Sequence, residues 1–233
     1  MSNNNTHQLI AVLCTLDNER LRNVESTFNQ SMQHKQSKTL KQWTDCMTSC
    51  MFYRRNINKV LLNILNGTRS DDGNVDMQHV EMDAHGLHHQ LKHATKQNLN
   101  KQVLIKLFTH RSFEHLYYIS LKYEQLYRER LVDVLKPLFR KTSEIGYAIL
   151  LILQFAISKY DVFSTFLGRY VHNSEHDQYC SFLRFVMLHY DADLNTIINH
   201  YGRSALDSWI KLELRNNGHP DTARSVMKLC GFL

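Results

Sequence analysis

The sequence predicts an all-α chain, and three observations predict it: scarce turn chemistry, apolar residues at helical spacing, and a helical unit that recurs. Only 2 Pro and 8 Gly punctuate 233 residues, too few for the turns of a many-stranded sandwich or barrel. Apolar residues at i, i+3 and i+7 mark one face of an amphipathic helix. That triplet occurs three times, as Leu21, Val24 and Phe28, as Leu116, Ile119 and Tyr123, and as Leu194, Ile197 and Tyr201.

The remaining elements follow in order around each triplet. Before it lies a short apolar helix: Gln8-Leu-Ile-Ala-Val-Leu-Cys-Thr15, Gln102-Val-Leu-Ile-Lys-Leu-Phe-Thr109, and Phe182-Leu-Arg-Phe-Val-Met-Leu188. After it comes a Leu-led helix, at Leu40, Leu131 and Leu206. A closing helix carries Val60-Leu-Leu-Asn-Ile-Leu65, Ile149-Leu-Leu-Ile-Leu153 or Val226-Met-Lys-Leu-Cys230. The recurring unit therefore has four or five helices. A repeat with so small a core is expected to pack on its neighbours. The polar connector Asn66-Gly-Thr-Arg-Ser-Asp-Asp-Gly-Asn-Val-Asp76 separates the first two units and has little apolar surface with which to order itself. A second boundary near Ala156 to Lys159 divides the chain into segments 1–78, 79–157 and 158–233.

Composition narrows the function. Lys and Arg total 28 against 22 Asp and Glu, a formal charge of +6 that favours anionic partners. Five Cys without paired close spacing, and no signal peptide at the first residues, predict reduced thiols in a cytoplasmic protein. The longest apolar run, Gly146 to Ile157, is interrupted by Gln154 and falls short of the roughly 20 residues that span a bilayer. Phosphate-binding glycine loops and nucleophile elbows are absent from the sequence, so no enzyme is expected. Nor does a strand or recognition-helix motif point to nucleic acid. His85, His88, His89 and His93 fall at i, i+3, i+4 and i+8, but no His-Glu-x-x-His accompanies them, and they are expected on a solvated helix face rather than on zinc. Fourteen His in all would add positive charge as pH falls through their ordinary pKa, about 6.5.

Two stretches and a connector carry a family resemblance. Leu107-Phe-Thr-His-Arg-Ser-Phe-Glu-His-Leu-Tyr-Tyr-Ile-Ser-Leu-Lys-Tyr-Glu-Gln-Leu-Tyr127 resembles an annexin repeat. Tyr201-Gly-Arg-Ser-Ala-Leu-Asp-Ser-Trp-Ile-Lys211, with Lys228-Leu-Cys-Gly231, is similar to the last annexin repeat. Asn74-Val-Asp76, followed by Asp83-Ala84 and Leu87, is similar to the family's link between its second and third repeats. The resemblance implies an all-α array of three repeats, matching the family's second, third and fourth, in a curved and incomplete disc. It also implies peripheral binding to acidic phospholipid membranes. Because the family's first repeat packs on its fourth, segment 158–233 is expected to keep an uncovered apolar face, for a protein partner or for self-association.

The same resemblance frames the calcium question. The family holds Ca²⁺ with backbone carbonyls of a Gly-x-Gly-Thr loop and a carboxylate about forty residues later, because a hard cation wants six to eight oxygens and glycine lets carbonyls turn outward. In the first unit the loop aligns with Asn3-Asn4-Asn5-Thr6 and the acid with Met47. In the second the loop is Lys96-Gln-Asn-Leu-Asn100 and the acid aligns with Leu138, or with Arg140 on another gap placement. In the third the loop is Ser174-Glu-His-Asp177, and Glu213 stands where the family keeps its acid, so Glu213 and Asp177 are the remaining candidate ligands, with Glu175 as an alternate. Calcium dependence is therefore expected to be weakened or lost. Lys96, Lys101, Lys136, Arg140, Lys141 and His176, near predicted loops, become the candidate lipid-binding residues, each contributing up to about 1 kcal/mol toward an anionic surface. The alternative is a degenerate annexin acting as a protein-interaction scaffold or oligomer.

Overall fold

Helices account for every regular element among the described residues, which in this computed structural model are 3–32, 38–49, 55–70, 73–172, 176–190, 193–214 and 220–232. The chain divides into two units, Met1–Ile157 and Ser158–Leu233. The first holds α1 (Asn3–Cys14), α2 (Asn18–Met32), α3 (Leu40–Ser49) and α4 (Arg55–Leu65). It continues with α5 (Met77–Leu91), α6 (Lys101–His110), α7 (Phe113–Tyr127), α8 (Leu131–Leu135), a 3-10 turn (Lys136–Leu138) and α9 (Glu144–Ile157). The second holds α10 (Lys159–His172), α11 (His176–His189), α12 (Leu194–Tyr201), α13 (Arg203–Trp209), a π-helical turn (Ile210–Leu214) and α14 (Pro220–Leu229).

The three apolar triplets lie on α2, α7 and α12. Their inward residues are buried at Leu21, Leu116, Ile119, Tyr123, Leu194 and Ile197, whereas Val24 is exposed. The apolar run near Gly146 is explained by α9, whose Ile145, Ala148, Ile149, Leu151, Ile152 and Leu153 are all buried. It packs against α1, α4, α6 and α7, so it is apolar on most sides. Each such aliphatic side chain contributes about 1.5–3 kcal/mol by leaving water. Asp76, Asn100 and Ser112 cap α5, α6 and α7 by accepting backbone N–H bonds. Caps of this kind are worth about 1 kcal/mol each.

Polar groups complete the first unit. The Asp83 carboxylate on α5 accepts from Arg111 Nε at 2.7 Å and from His115 Nε2 at 2.9 Å, locking α5 to the α6–α7 junction. Residues 68–70 of the connector are tightly held, contrary to what its polarity predicts, while Gly73, Asn74 and Asp76 are exposed. Arg69 is 7% exposed; its guanidinium donates to the Arg111 carbonyl at 2.7 Å and lies 4.0 Å from the Phe113 ring centre. Asn18 donates to the Arg69 carbonyl at 2.8 Å, and the Ser70 N–H donates to the His110 carbonyl at 2.7 Å. Hydrogen bonds and a cation over an aromatic face substitute for the missing apolar surface.

Of the α5 histidines, only His88 departs from the expected solvated face, being half-buried. His88 stacks on Tyr127 with ring centres 3.6 Å apart, and His85 Nδ1 lies 2.6 Å from the Tyr127 hydroxyl. These two rings reach the α7 tyrosines, while His85, His89 and His93 stay exposed, as a solvated helix face requires.

In the second unit α10 packs on α12, burying Phe163, Phe166 and Leu167 and, opposite them, Leu194, Ile197 and Ile198. Phe182 of α11 meets the Trp209 ring edge-on at 4.9 Å. His189 donates to Asp193 at 2.7 Å, and Lys159 lies 3.8 Å from the same carboxylate.

Candidate functional site

Two stapled loops in the first unit build a basic cleft. The loop from α5 to α6 folds on itself: the Thr95 N–H donates to Asn98 Oδ1, the Asn98 N–H donates to the Thr95 hydroxyl, and the Leu99 N–H donates to the Thr95 carbonyl at 3.1 Å. Leu99 is buried as the loop's apolar anchor, and Asn100 then opens α6 by accepting from the Val103 N–H. The loop before α9 is built alike. Phe139 is buried, the Ser143 N–H donates to the Arg140 carbonyl at 2.9 Å, and the Ser143 hydroxyl accepts from the Gly146 N–H at 3.2 Å. Gly146 is required here, because a Cβ would stand 2.5 Å from Phe139 Cβ.

Between these loops lies a cleft of about 600 Å³. Lys96 and Lys101 line it from one loop and Arg140 and Lys141 from the other, while His7 of α1 and Asn56 and Ile57 of α4 close the side. Glu144 is the one carboxylate among the lining residues, and it has an interaction partner of its own. The first turns of α4, α6 and α9 all reach the cleft, and the helix dipoles add partial positive charge there. His7 is set by the Tyr147 ring, 4.9 Å away. Gln102 links the α4 side to α6, donating to Asn56 Oδ1 at 2.9 Å and accepting from Lys59 at 3.0 Å.

The structure thus brings Lys96, Lys101, Arg140 and Lys141 to one place. Lys136 is exposed on the 3-10 turn and is not among the lining residues. His176 and Asp177 begin α11 and Glu213 lies in the π-helical turn, but their side chains fall outside the described residues, as does that of Met47. Glu175 falls outside them altogether. Sequence reasoning missed His7, Asn56 and Glu144. The first two arrive from helices remote in sequence, and no local pattern marks them; Glu144 was visible only as the first acid after the basic loop.

Calcium is a poor match to this donor set. Leu138 and Arg140, the two positions where the resemblance would place the family's acid, carry no carboxylate, and the α5–α6 loop has no glycine. The Asn98 and Asn100 side-chain oxygens already accept backbone N–H groups. Four cations would repel a divalent ion that needs six to eight oxygens. In the first unit, Asn3–Thr6 form the opening turn of α1 rather than a loop, so their carbonyls follow the helix axis instead of converging on an ion. Among the described residues no group of three or more His, Cys, Asp and Glu is placed to hold a metal. Thiol chemistry is also quiet at the two buried cysteines: burial pushes Cys14 up to about 12 and Cys230 up to about 11.

No protein-family model matches the chain. Annexin D5 of Arabidopsis thaliana is 27% identical over 217 residues, covering 93% of this chain and 63% of the relative. Annexin III superposes with a TM-score of 0.82 at 19% identity, over 97% of this chain and 66% of that one. Calcium-bound annexin (Sm)1 superposes with a TM-score of 0.78 at 18% identity, over 97% and 64%. The chain therefore spans a little under two thirds of the length of the curated relative. At such identities the solved structures establish the fold alone. The chain adopts the annexin fold and is similar in sequence to a curated annexin.

Proposed function

We propose that the protein is a non-enzymatic, annexin-like binder of acidic phospholipid surfaces that attaches peripherally through the basic cleft, with calcium dependence weakened or lost. Three repeats, 1–78, 79–157 and 158–233, serve as its scaffold. The observation that carries this reading is the convergence of Lys96, Lys101, Arg140 and Lys141 around one cleft whose lining includes a single carboxylate, Glu144. No helix among the described residues is long and apolar enough to cross a membrane, which agrees with peripheral attachment. Any calcium response rests with Glu213 and Asp177, and His176 joins the basic set at the start of α11.

Co-sedimentation with phosphatidylserine vesicles in chelator tests the proposal. The wild type binds, and a variant with Lys96, Lys101, Arg140 and Lys141 all changed to Gln loses roughly 4 kcal/mol, at about 1 kcal/mol per cation. Binding unchanged at 1 M salt, where the Debye length is about 3 Å, sinks the electrostatic mechanism.

A second reading is favoured by one observation in the second unit. Met187, Leu188 and Leu212 are 65%, 74% and 62% exposed, large apolar side chains of the kind that interfaces cover. Self-association or a protein partner is the alternative function, and a stable dimer by light scattering with no vesicle affinity selects it.

A further inference from the structure

We infer that the cleft selects phosphomonoester groups, so that its preferred ligand is a multiply phosphorylated inositol headgroup rather than phosphatidylserine. This inference rests on the attachment proposed above. Charge is the first argument. Four cations face a single carboxylate that is already partnered. A serine headgroup brings one phosphodiester and a carboxylate, but also an ammonium that would enter a field of like charge. A phosphomonoester carries about −1.5 to −2 at neutral pH and no cation.

Acceptor availability is the second argument, and it is independent of the first. An ammonium needs oxygens, and the side-chain amide oxygens at and beside the cleft already accept hydrogen bonds. Asn56 Oδ1 accepts from Gln102, while Asn98 Oδ1 and Asn100 Oδ1 accept from backbone N–H groups. What the cleft offers is donors: a guanidinium fork at Arg140, suited to two oxygens of one phosphate, and three ammonium groups that act as point charges.

Size and rigidity fit the same ligand. A volume of about 600 Å³ is that of a small-molecule site rather than of a single ion. Both loops are pinned before any ligand arrives, by buried Leu99 and Phe139 and by the Asn100 and Ser143 hydrogen bonds. Less ordering is therefore left to oppose binding.

The test compares vesicles of matched zeta potential in chelator, one set containing phosphatidylinositol 4,5-bisphosphate and the other phosphatidylserine. Inositol 1,4,5-trisphosphate serves as soluble competitor. The expected result is at least about tenfold tighter binding to the bisphosphate vesicles, displaced by the competitor. The preference falls in Arg140→Lys, which keeps the charge and loses the fork, and is kept in Lys136→Gln, a basic residue off the cleft. Matching circular dichroism spectra show that each variant is folded. Equal affinity for the charge-matched vesicles overturns the inference while leaving attachment to acidic surfaces intact. A preference that survives changing all four cleft cations to Gln also overturns it, because the selecting site is then elsewhere. Binding of the soluble trisphosphate without any gain on vesicles overturns the lipid assignment in favour of a soluble phosphate ligand. No binding to either vesicle defeats both this inference and the proposed function.

Discussion

The five helices α5 to α9 and the five helices α10 to α14 run in the same order but solve the middle of the unit differently. In the first set α7 has 15 residues and ends on Arg128 at φ 60°; in the second α12 has 8 and ends on Gly202 at φ 117°. The first set continues through a 3-10 turn into a loop anchored by Phe139, which presents Arg140 and Lys141 to the cleft. The second continues through α13 into a π-helical turn that carries Glu213. The difference teaches that the apolar skeleton and the loop geometry vary independently. Leu116 and Ile119 have buried counterparts in Leu194 and Ile197, yet the segments that would carry ligands diverge in length and conformation.

The largest expected effect tests how tightly the first set is packed at its functional loop. Gly146→Ala forces a Cβ to within 2.5 Å of Phe139 Cβ and 2.6 Å of Cγ. Overpacking of about 1–3 kcal/mol exceeds the gain of about 1 kcal/mol in helix propensity. Urea denaturation should show a net loss of up to about 2 kcal/mol, and vesicle binding should weaken with it as the loop shifts. Gly168→Ala on α10 is the matched control, since its Cβ would meet only the edge of the Tyr201 ring at 3.3 Å. Its effect should be within about 0.5 kcal/mol of zero. Equal losses for the two variants would break the contrast.

An effect of similar size separates the two helix ends. Gly202→Ala places a side chain at φ 117°, a backbone region that L residues rarely adopt, and should cost about 1–3 kcal/mol. Arg128→Gly does the opposite at φ 60°, relieving a left-handed residue, and should stabilise by about 0.5–1 kcal/mol. Thermal melts of the two variants should therefore move in opposite directions.

The smallest effect is acid sensitivity. The hydrogen bond from His200, reinforced by Ser158, holds Asp161 of the second unit below its ordinary value of 3.8. In the first unit, the Gln78 N–H lowers Asp76 and the Lys122 hydrogen bond lowers Glu81. A depressed folded pKa adds stability that is fully present above the unfolded value and is lost as pH falls through the folded one. Asp161→Asn should therefore lower the melting temperature slightly at neutral pH, and its curve should converge with the wild type below about pH 4. Curves that stay parallel down to pH 2 would remove this coupling.

Much of the fold was legible because helix faces are local. The spacing of Leu116, Ile119 and Tyr123 depends only on residues within two turns, and all three are buried. The same spacing misjudged Val24, since periodicity identifies a face but not the depth to which neighbours cover it. It also misjudged Arg69, where polarity predicted a loose connector. The ordering groups are the Arg111 carbonyl, the Phe113 ring and Asn18, which are far away in sequence. At the cleft, Lys96, Lys101, Arg140 and Lys141 were legible as basic residues near loops, and Lys136 looked no different from them. Only packing separates it from the others.

By itself the sequence determined which atoms are available: a helical repeat, a net positive charge, a loop without glycine, and Leu138 in place of a carboxylate. No arrangement of neighbours can supply an oxygen that the side chain lacks, so Leu138 offers no side-chain ligand to a metal whatever surrounds it. The tertiary structure decided where the available charge goes. Long-range packing of α1, α4, α6 and α9 gathers four cations from two loops, and hydrogen bonds within and beside those loops commit the nearby acceptors. Burial of Leu99 and Phe139 sets the loops' positions, and that is a property of contacts between segments rather than of any segment alone.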